Sequence, residues 1–147
     1  MVNLIVNSII KQLRTHYSDI DIFADKVENE IEYPFIYVGI INFKKRDNLG
    51  GNDIYEFRLD VRYHVKGTEQ NTDLYINGDK ITSILKNLSL LDTGCSVWCN
   101  RAETQIVDGV SHNILEYEVM TREEMSSGIK FEKFNSYITI EREFREE

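Results

Sequence analysis

One proline, two cysteines, and no apolar run near the roughly 20 residues of a membrane span are what stand out as missing from this sequence of 147 residues. Without Pro, Gly or Ser-rich stretches there is no linker at which to cut the chain, so one domain is expected over residues 1–147. Two cysteines are too few for a disulfide framework, and Cys95 and Cys99 are expected as reduced, partly buried thiols. Met1-Val2-Asn3 opens no signal peptide, so synthesis in the cytoplasm with no membrane attachment is expected.

Charge of one sign is scarce as well. Seventeen Lys and Arg stand against 25 Asp and Glu, a net charge of -8. Tight nucleic-acid binding depends on clustered cations that neutralise phosphates, so specific nucleic-acid binding is not expected. The one basic run, Lys44-Lys45-Arg46, is followed at once by Asp47.

Catalytic frames are missing too. His16, His64 and His112 belong to no HExxH or triad-like context, and Gly50-Gly51 lacks the frame of a phosphate-binding loop. Cys95 and Cys99 lie four apart, which on a strand would put both sulfurs on one face, but no histidine near in sequence completes a zinc set. Glu116 and Glu118 share a strand face, as paired glycosidase acids might, yet alternate acids on a strand commonly form its wet side. No catalytic residue, metal ligand or cofactor site is assigned, and an enzyme is not expected.

What is present is pattern. Ile5, Ile9, Leu13 and Tyr17 recur every four residues, with Lys11, Gln12 and Arg14 opposite, which predicts an amphipathic helix over Leu4 to Tyr17. Ile20, Ile22 and Ala24 alternate with acids, predicting a short strand that runs into an acidic loop. Pro34 opens Phe35 to Phe43, with Phe35, Tyr37, Ile41 and Phe43 on one face and Ile36, Val38 and Ile40 on the other, as in a strand covered on both sides.

Tyr55, Phe57, Leu59, Val61, Tyr63 and Val65 then alternate with polar residues, the period of a half-buried strand. Thr72 or Asp73 could cap a second helix with Leu74, Ile81, Ile84, Leu85 and Leu88 as its core stripe, interrupted by Gly78. Val97 to Val107 and Val110 to Thr121 flank Asp108-Gly109, a strong hairpin signal. A break at Ser126-Ser127-Gly128 and a β-prone stretch from Phe134 to Phe144 close the chain. The fold class predicted is α+β, a mostly antiparallel mixed sheet with two helices on one face.

Several of these segments together are similar to phage tail terminator proteins of prophages and phage-tail-like bacteriocins. The likeness rests on the opening helix with its acidic strand (Ile20 to Val27), Tyr33-Pro34-Phe35-Ile36, and the strand from Phe57 to Tyr63. It continues through the second helix, Ile106 to His112 around Val107-Asp108-Gly109-Val110, the strand with Tyr117, and Met125. Ser111-His112 stands where the family pattern suggests a leucine, and the Cys95/Cys99 pair is extra.

The resemblance implies a structural virion protein, without cofactor, that forms a ring of copies, a hexamer, on the head-proximal end of a tail tube. Such a ring stops tube polymerisation and offers a joining surface. Implied partners are the tube, a sheath where there is one, and a neck or head-completion protein where there is a capsid. Implied location is the virion or tail-like particle, assembled in the bacterial cytoplasm. Another neck or head-tail joining protein is the alternative within that class, and a small-molecule-binding regulatory domain the alternative outside it.

A cyclic ring joins two unlike patches on each subunit. The candidate interface is the acidic set Asp25, Glu28, Glu30 and Glu32, the basic set Lys44, Lys45 and Arg46, and the tail aromatics Phe131 and Phe134. Three readings of the acidic run stay open: a contact with the basic run of the next copy, a lining of the ring's channel that keeps passing DNA from sticking, or a solvated loop.

Overall fold

The computed structural model describes the backbone of residues 1–24, 26, 31–48, 52–67, 71–124, 128–134 and 137–143. Side chains are described within these spans as far as Met120, those of Asn48 and Asn52 excepted. Two helices and nine strands are found among them: α1 (Val2–Arg14), β1 (Asp21–Ala24), β2 (Phe35–Asn48), β3 (Asn52–His64), α2 (Asn71–Leu85), β4 (Asn87–Ser89), β5 (Ser96–Trp98), β6 (Arg101–Val107), β7 (Val110–Glu124), β8 (Gly128–Phe134) and β9 (Tyr137–Glu143).

The main sheet runs β1-β2-β3-β7-β9-β8, with β6 beside the first half of β7, and β4 and β5 form a separate pair. Two pairings are parallel, β1 with β2 and β7 with β9; the others are antiparallel. This is the expected α+β class with a mostly antiparallel mixed sheet.

The four-residue period of α1 puts Ile5, Ile9 and Leu13 fully inside. From β3, alternation sends Phe57, Leu59, Val61 and Tyr63 to the same core, where Leu74, Ile81 and Leu85 of α2 meet them from above. Leu115, Tyr117 and Val119 of β7 complete that layer. Burying each such side chain contributes about 1.5–3 kcal/mol. Asp108 and Gly109 both have positive φ, 51° and 73°, as a two-residue hairpin turn of the right twist requires.

Four expectations need correction. The second helix stops at Leu85, and Leu88 fills the core from β4; the helix also begins at Asn71, so Thr72 and Asp73 lie within its first turn and do not cap it. The first hairpin arm is two strands, because β5 belongs to the separate pair with β4 and the chain joins the main sheet only at β6. The closing stretch is likewise a pair, β8 and β9, with Phe134 ending the first of them.

Finally, β2 changes parity. Its register with β3 slips between Ile40 and Asn42, so Ile41 is an extra residue, and a bulge of this kind reverses the faces of everything beyond it. Phe43 therefore joins the core side, with its ring 6.3 Å from Phe57, instead of sharing a face with Phe35 and Tyr37.

Two features seat α2. Gly78 is buried, and a β-carbon built on it would lie 2.6 Å from Thr104 Cγ2 and 2.8 Å from Asn113 Oδ1. The helix backbone thus lies directly on β6 and β7, and the glycine that weakens the helix permits that approach. At its other end, carbonyls that a helix terminus leaves unpaired receive side-chain donors. Gln12 Nε2 donates to the oxygen of Ile84 (2.6 Å) and, just beyond the helix, to that of Asn87 at the start of β4 (2.8 Å), and Tyr117 Oη donates to that of Leu85 (2.6 Å). Gln12 was expected on the wet side of α1; it instead ties α1 to α2 and, through its Oε1, to Ser89 N–H of β4 (2.8 Å).

Candidate functional site

Both helices share one hydrophobic core on one side of the main sheet, and no helix covers the other side among the described residues. Cross-strand pairing shows what that open face carries, because directly paired residues point the same way. Outward from β2, β3, β6 and the first part of β7 come Lys44, Arg46, Arg58, Arg62 and Arg101. With them come Glu56, Asp60, Glu103, Glu116 and Glu118, so cations and carboxylates are equal in number.

Most of these charges are matched in place. Arg46 Nη2 lies 2.6 Å from Glu56 Oε1 and 3.6 Å from Glu118 Oε1, tying three strands together. Arg58 Nε is 2.9 Å from Glu116. Asp60 Oδ2 accepts from Arg62 Nε at 2.8 Å and lies 3.0 Å from His112 Nδ1. Exposed pairs contribute roughly 0.2–1 kcal/mol each, so this array fixes side-chain positions more than it stabilises the fold. Around it, Lys44, Glu56, Arg58, Glu116 and Glu118 help to line a hollow of about 370 Å³.

Asp60 is unusual for an outward strand position. Only 6% of it is exposed, and its Oδ1 is buried with no hydrogen-bond partner among the described residues. Toward the β1 end the face becomes aromatic. Phe35 packs against Phe23 and Tyr33, and His64 stacks on it with centroids 4.4 Å apart and planes 6° from parallel. Burial, helped by the Arg62 charge, lowers the His64 pKa below its ordinary value. The guanidinium of Arg62 also lies over the Tyr37 ring, at 5.4 Å. His64 is thus half-buried in a ring cluster, and His112 is bound to a buried carboxylate.

Of the candidate interface residues, Asp25, Glu28 and Glu30 lie outside the described residues, as do the side chains of Phe131 and Phe134 on β8. Glu32 is exposed beside the aromatic end. The basic run lies on β2, largely matched within its own chain: Lys45 Nζ is 3.5 Å from Asp53, and Arg46 binds Glu56 and Glu118. Tyr55 and then Asp53 raise the Lys45 pKa above its usual value. Lys44 has no ion-pair partner among the described residues.

The two cysteines flank β5, half-buried and reduced. Burial pushes the Cys99 thiol up, and its sulfur lies 3.0 Å from the Arg101 carbonyl oxygen. No group of three or more His, Cys, Asp or Glu that could hold a metal occurs among the described residues. Sequence reasoning missed the Asp60–Arg62–His112 set, because Asp60 and His112 lie 52 positions apart and meet only through the β3–β7 register.

A two-layer α+β domain with one side of its sheet packed and the other open, charge-matched and aromatic at one end, belongs to the class of domains that present an open sheet face. The sequence matches the phage tail terminator protein family over residues 4–129, and the chain belongs to that family. Membership gives it a structural role in a phage tail. A solved structure of similar fold comes from the virion of a native gene transfer agent particle. Its TM-score is 0.50 at 14% sequence identity, over 80% of this chain and 93% of that one. Comparison with curated proteins gave no match.

Proposed function

We propose that this protein closes the head-proximal end of a phage tail tube, or of the tube of a tail-like bacteriocin, as a ring of its own copies, a hexamer. In that position it ends tube polymerisation and gives a neck or head-completion protein its joining surface. It works in the virion or tail-like particle after assembly in the bacterial cytoplasm, against tube and, in contractile tails, sheath subunits. Family membership across residues 4–129 carries this reading, and a preformed, charge-matched sheet face suits a role of contact without chemistry.

Within such a ring, complementary patches join successive copies. The acidic run around Glu28 to Glu32 and the basic run Lys44 to Arg46 are the charge-matched pair for that purpose. Because Lys45 and Arg46 are engaged within their own chain, the contact rests on Lys44.

Electron microscopy of particles made with and without the gene tests the reading. Tubes of uniform length joined to heads are expected with it, and overlong or ragged, unjoined tubes without it. Tubes of normal length that fail to join would transfer the protein to a neck role; normal, joined tails without it would refute both.

A further inference from the structure

The outer side of α2 carries an exposed apolar pair. Thr72, Tyr75, Ile76, Asp79 and Ser83 follow the spacing of one helix face, and Tyr75 is 50% and Ile76 60% exposed. These two apolar residues stand among Thr72, Asp79 and Ser83, turned away from the side that buries Leu74, Ile81 and Leu85. Opposite it, across the domain, lies the open sheet face. Ile41 shares the outward side with Asn42 and is 52% exposed next to the matched Arg58–Glu116 pair.

We infer that copies of this chain stack front to back, the outer stripe of α2 on one copy seated on the open sheet face of the next. The inference rests on the ring reading and adds an apolar contact to the one at Lys44. Electrostatics favour a second copy as occupant. A chain of net charge -8 repels itself across most pairings of its surface. The described charges that β2, β3, β6 and β7 bring to the open face are balanced and mostly paired, and the α2 stripe carries one charge, Asp79, so these two can meet with little repulsion. The two patches are unlike and lie on opposite sides, which is what a heterologous, ring-forming contact needs; a self-matching patch would stop at a dimer. Covering the sheet would give the domain a helix layer on both sides across the subunit boundary.

The test is a mixing experiment on the full chain, with Ile76→Asp spoiling the α2 stripe and Ile41→Asp spoiling the sheet face. Wild type, each variant and an equimolar mixture are fixed with glutaraldehyde, in solution and on purified tail tubes, and subunits are counted on denaturing gels. Melting temperatures within a few degrees of wild type establish that both variants fold, with Tyr75→Asp as a second α2 variant. Wild type should give a ladder ending at a closed ring and each variant alone only monomer. The mixture should stop at dimer, because only the intact stripe of one variant can meet the intact face of the other. Ladders unchanged in the variants, or a mixture that yields no dimer, overturn the front-to-back contact while the ring stands. A wild-type chain that gives no ladder in either setting sinks the ring and this contact together.

Discussion

Replacing Gly78 by Ala sets two effects of opposite sign against each other. In an exposed helix interior the change should stabilise by about 1 kcal/mol, since glycine costs that much relative to alanine. Here the added methyl would fall 2.6 Å from Thr104 Cγ2 and 2.8 Å from Asn113 Oδ1, too close for either to remain. Asn113 is fully buried. Its amide donates to the Val61 oxygen at 3.0 Å, and its Oδ1 accepts from Thr104 Oγ1 at 2.8 Å. Pushing it aside leaves a buried polar group unsatisfied, about 1–3 kcal/mol, and overpacking adds about 1–3 kcal/mol. Taking off the helix gain, the net loss expected is about 1–5 kcal/mol. Urea unfolding followed by circular dichroism measures it, and adding Thr104→Ser, which removes the nearest methyl, should recover part of the loss. A Gly78→Ala protein as stable as the parent or more so would mean that α2 does not lie on β6 and β7 as described.

Tyr117→Phe removes the donor to the Leu85 carbonyl and should cost about 1–3 kcal/mol in the same assay; no change would show that the helix end finds another donor. Leu59→Ala, at a fully buried position, should cost about 2–5 kcal/mol, and a shift within about 0.5 kcal/mol would place it at the surface. His64 has a lowered folded pKa. Its unfolded form therefore takes up a proton first as pH falls, so its contribution is whole above about pH 6.5 and is lost below it, toward the folded value. His64→Phe should flatten that part of the stability profile, with His112, Asp60 and Arg62 unchanged beside it. Lys44→Glu should shorten the fixed ladder on tail tubes and leave the melting temperature alone, and raising salt should do the same, because exposed charges are screened over about 10 Å at 0.1 M; a ladder indifferent to both would favour the acids lining a channel.

Local periodicity is what made the fold legible. The four-residue spacing of α1 and the strict alternation of β3 each admit one regular structure, and Asp108-Gly109 admits one tight turn, so those elements are found as expected. What the sequence hid depends on distant partners. No local signal marks Ile41 as an extra residue, since Phe35 to Phe43 is apolar on both parities and a change of face leaves no gap in the pattern. Leu88 continues the spacing of α2, but the helix ends three residues earlier, where Gln12 and Tyr117 donate to its last carbonyls. The open face was visible as polar alternation in β3 and β7. Its pairing was not, because which carboxylate meets which guanidinium is decided by a register across some fifty residues.

The stitching of α2's last turn bears on the order in which the chain can fold. Its donors come from one residue 72 positions earlier and one 32 positions later, so neither bond can form until long loops have closed, and closure over such lengths carries an entropic penalty that local helix formation does not. The last turn of α2 should therefore lock only after α1 and β7 are on the sheet. Because α2 also carries Tyr75 and Ile76 outward, a chain in transit would hold that apolar pair on an element not yet fixed. Locking of this helix then becomes the event that separates a subunit still folding from one ready to join its neighbours.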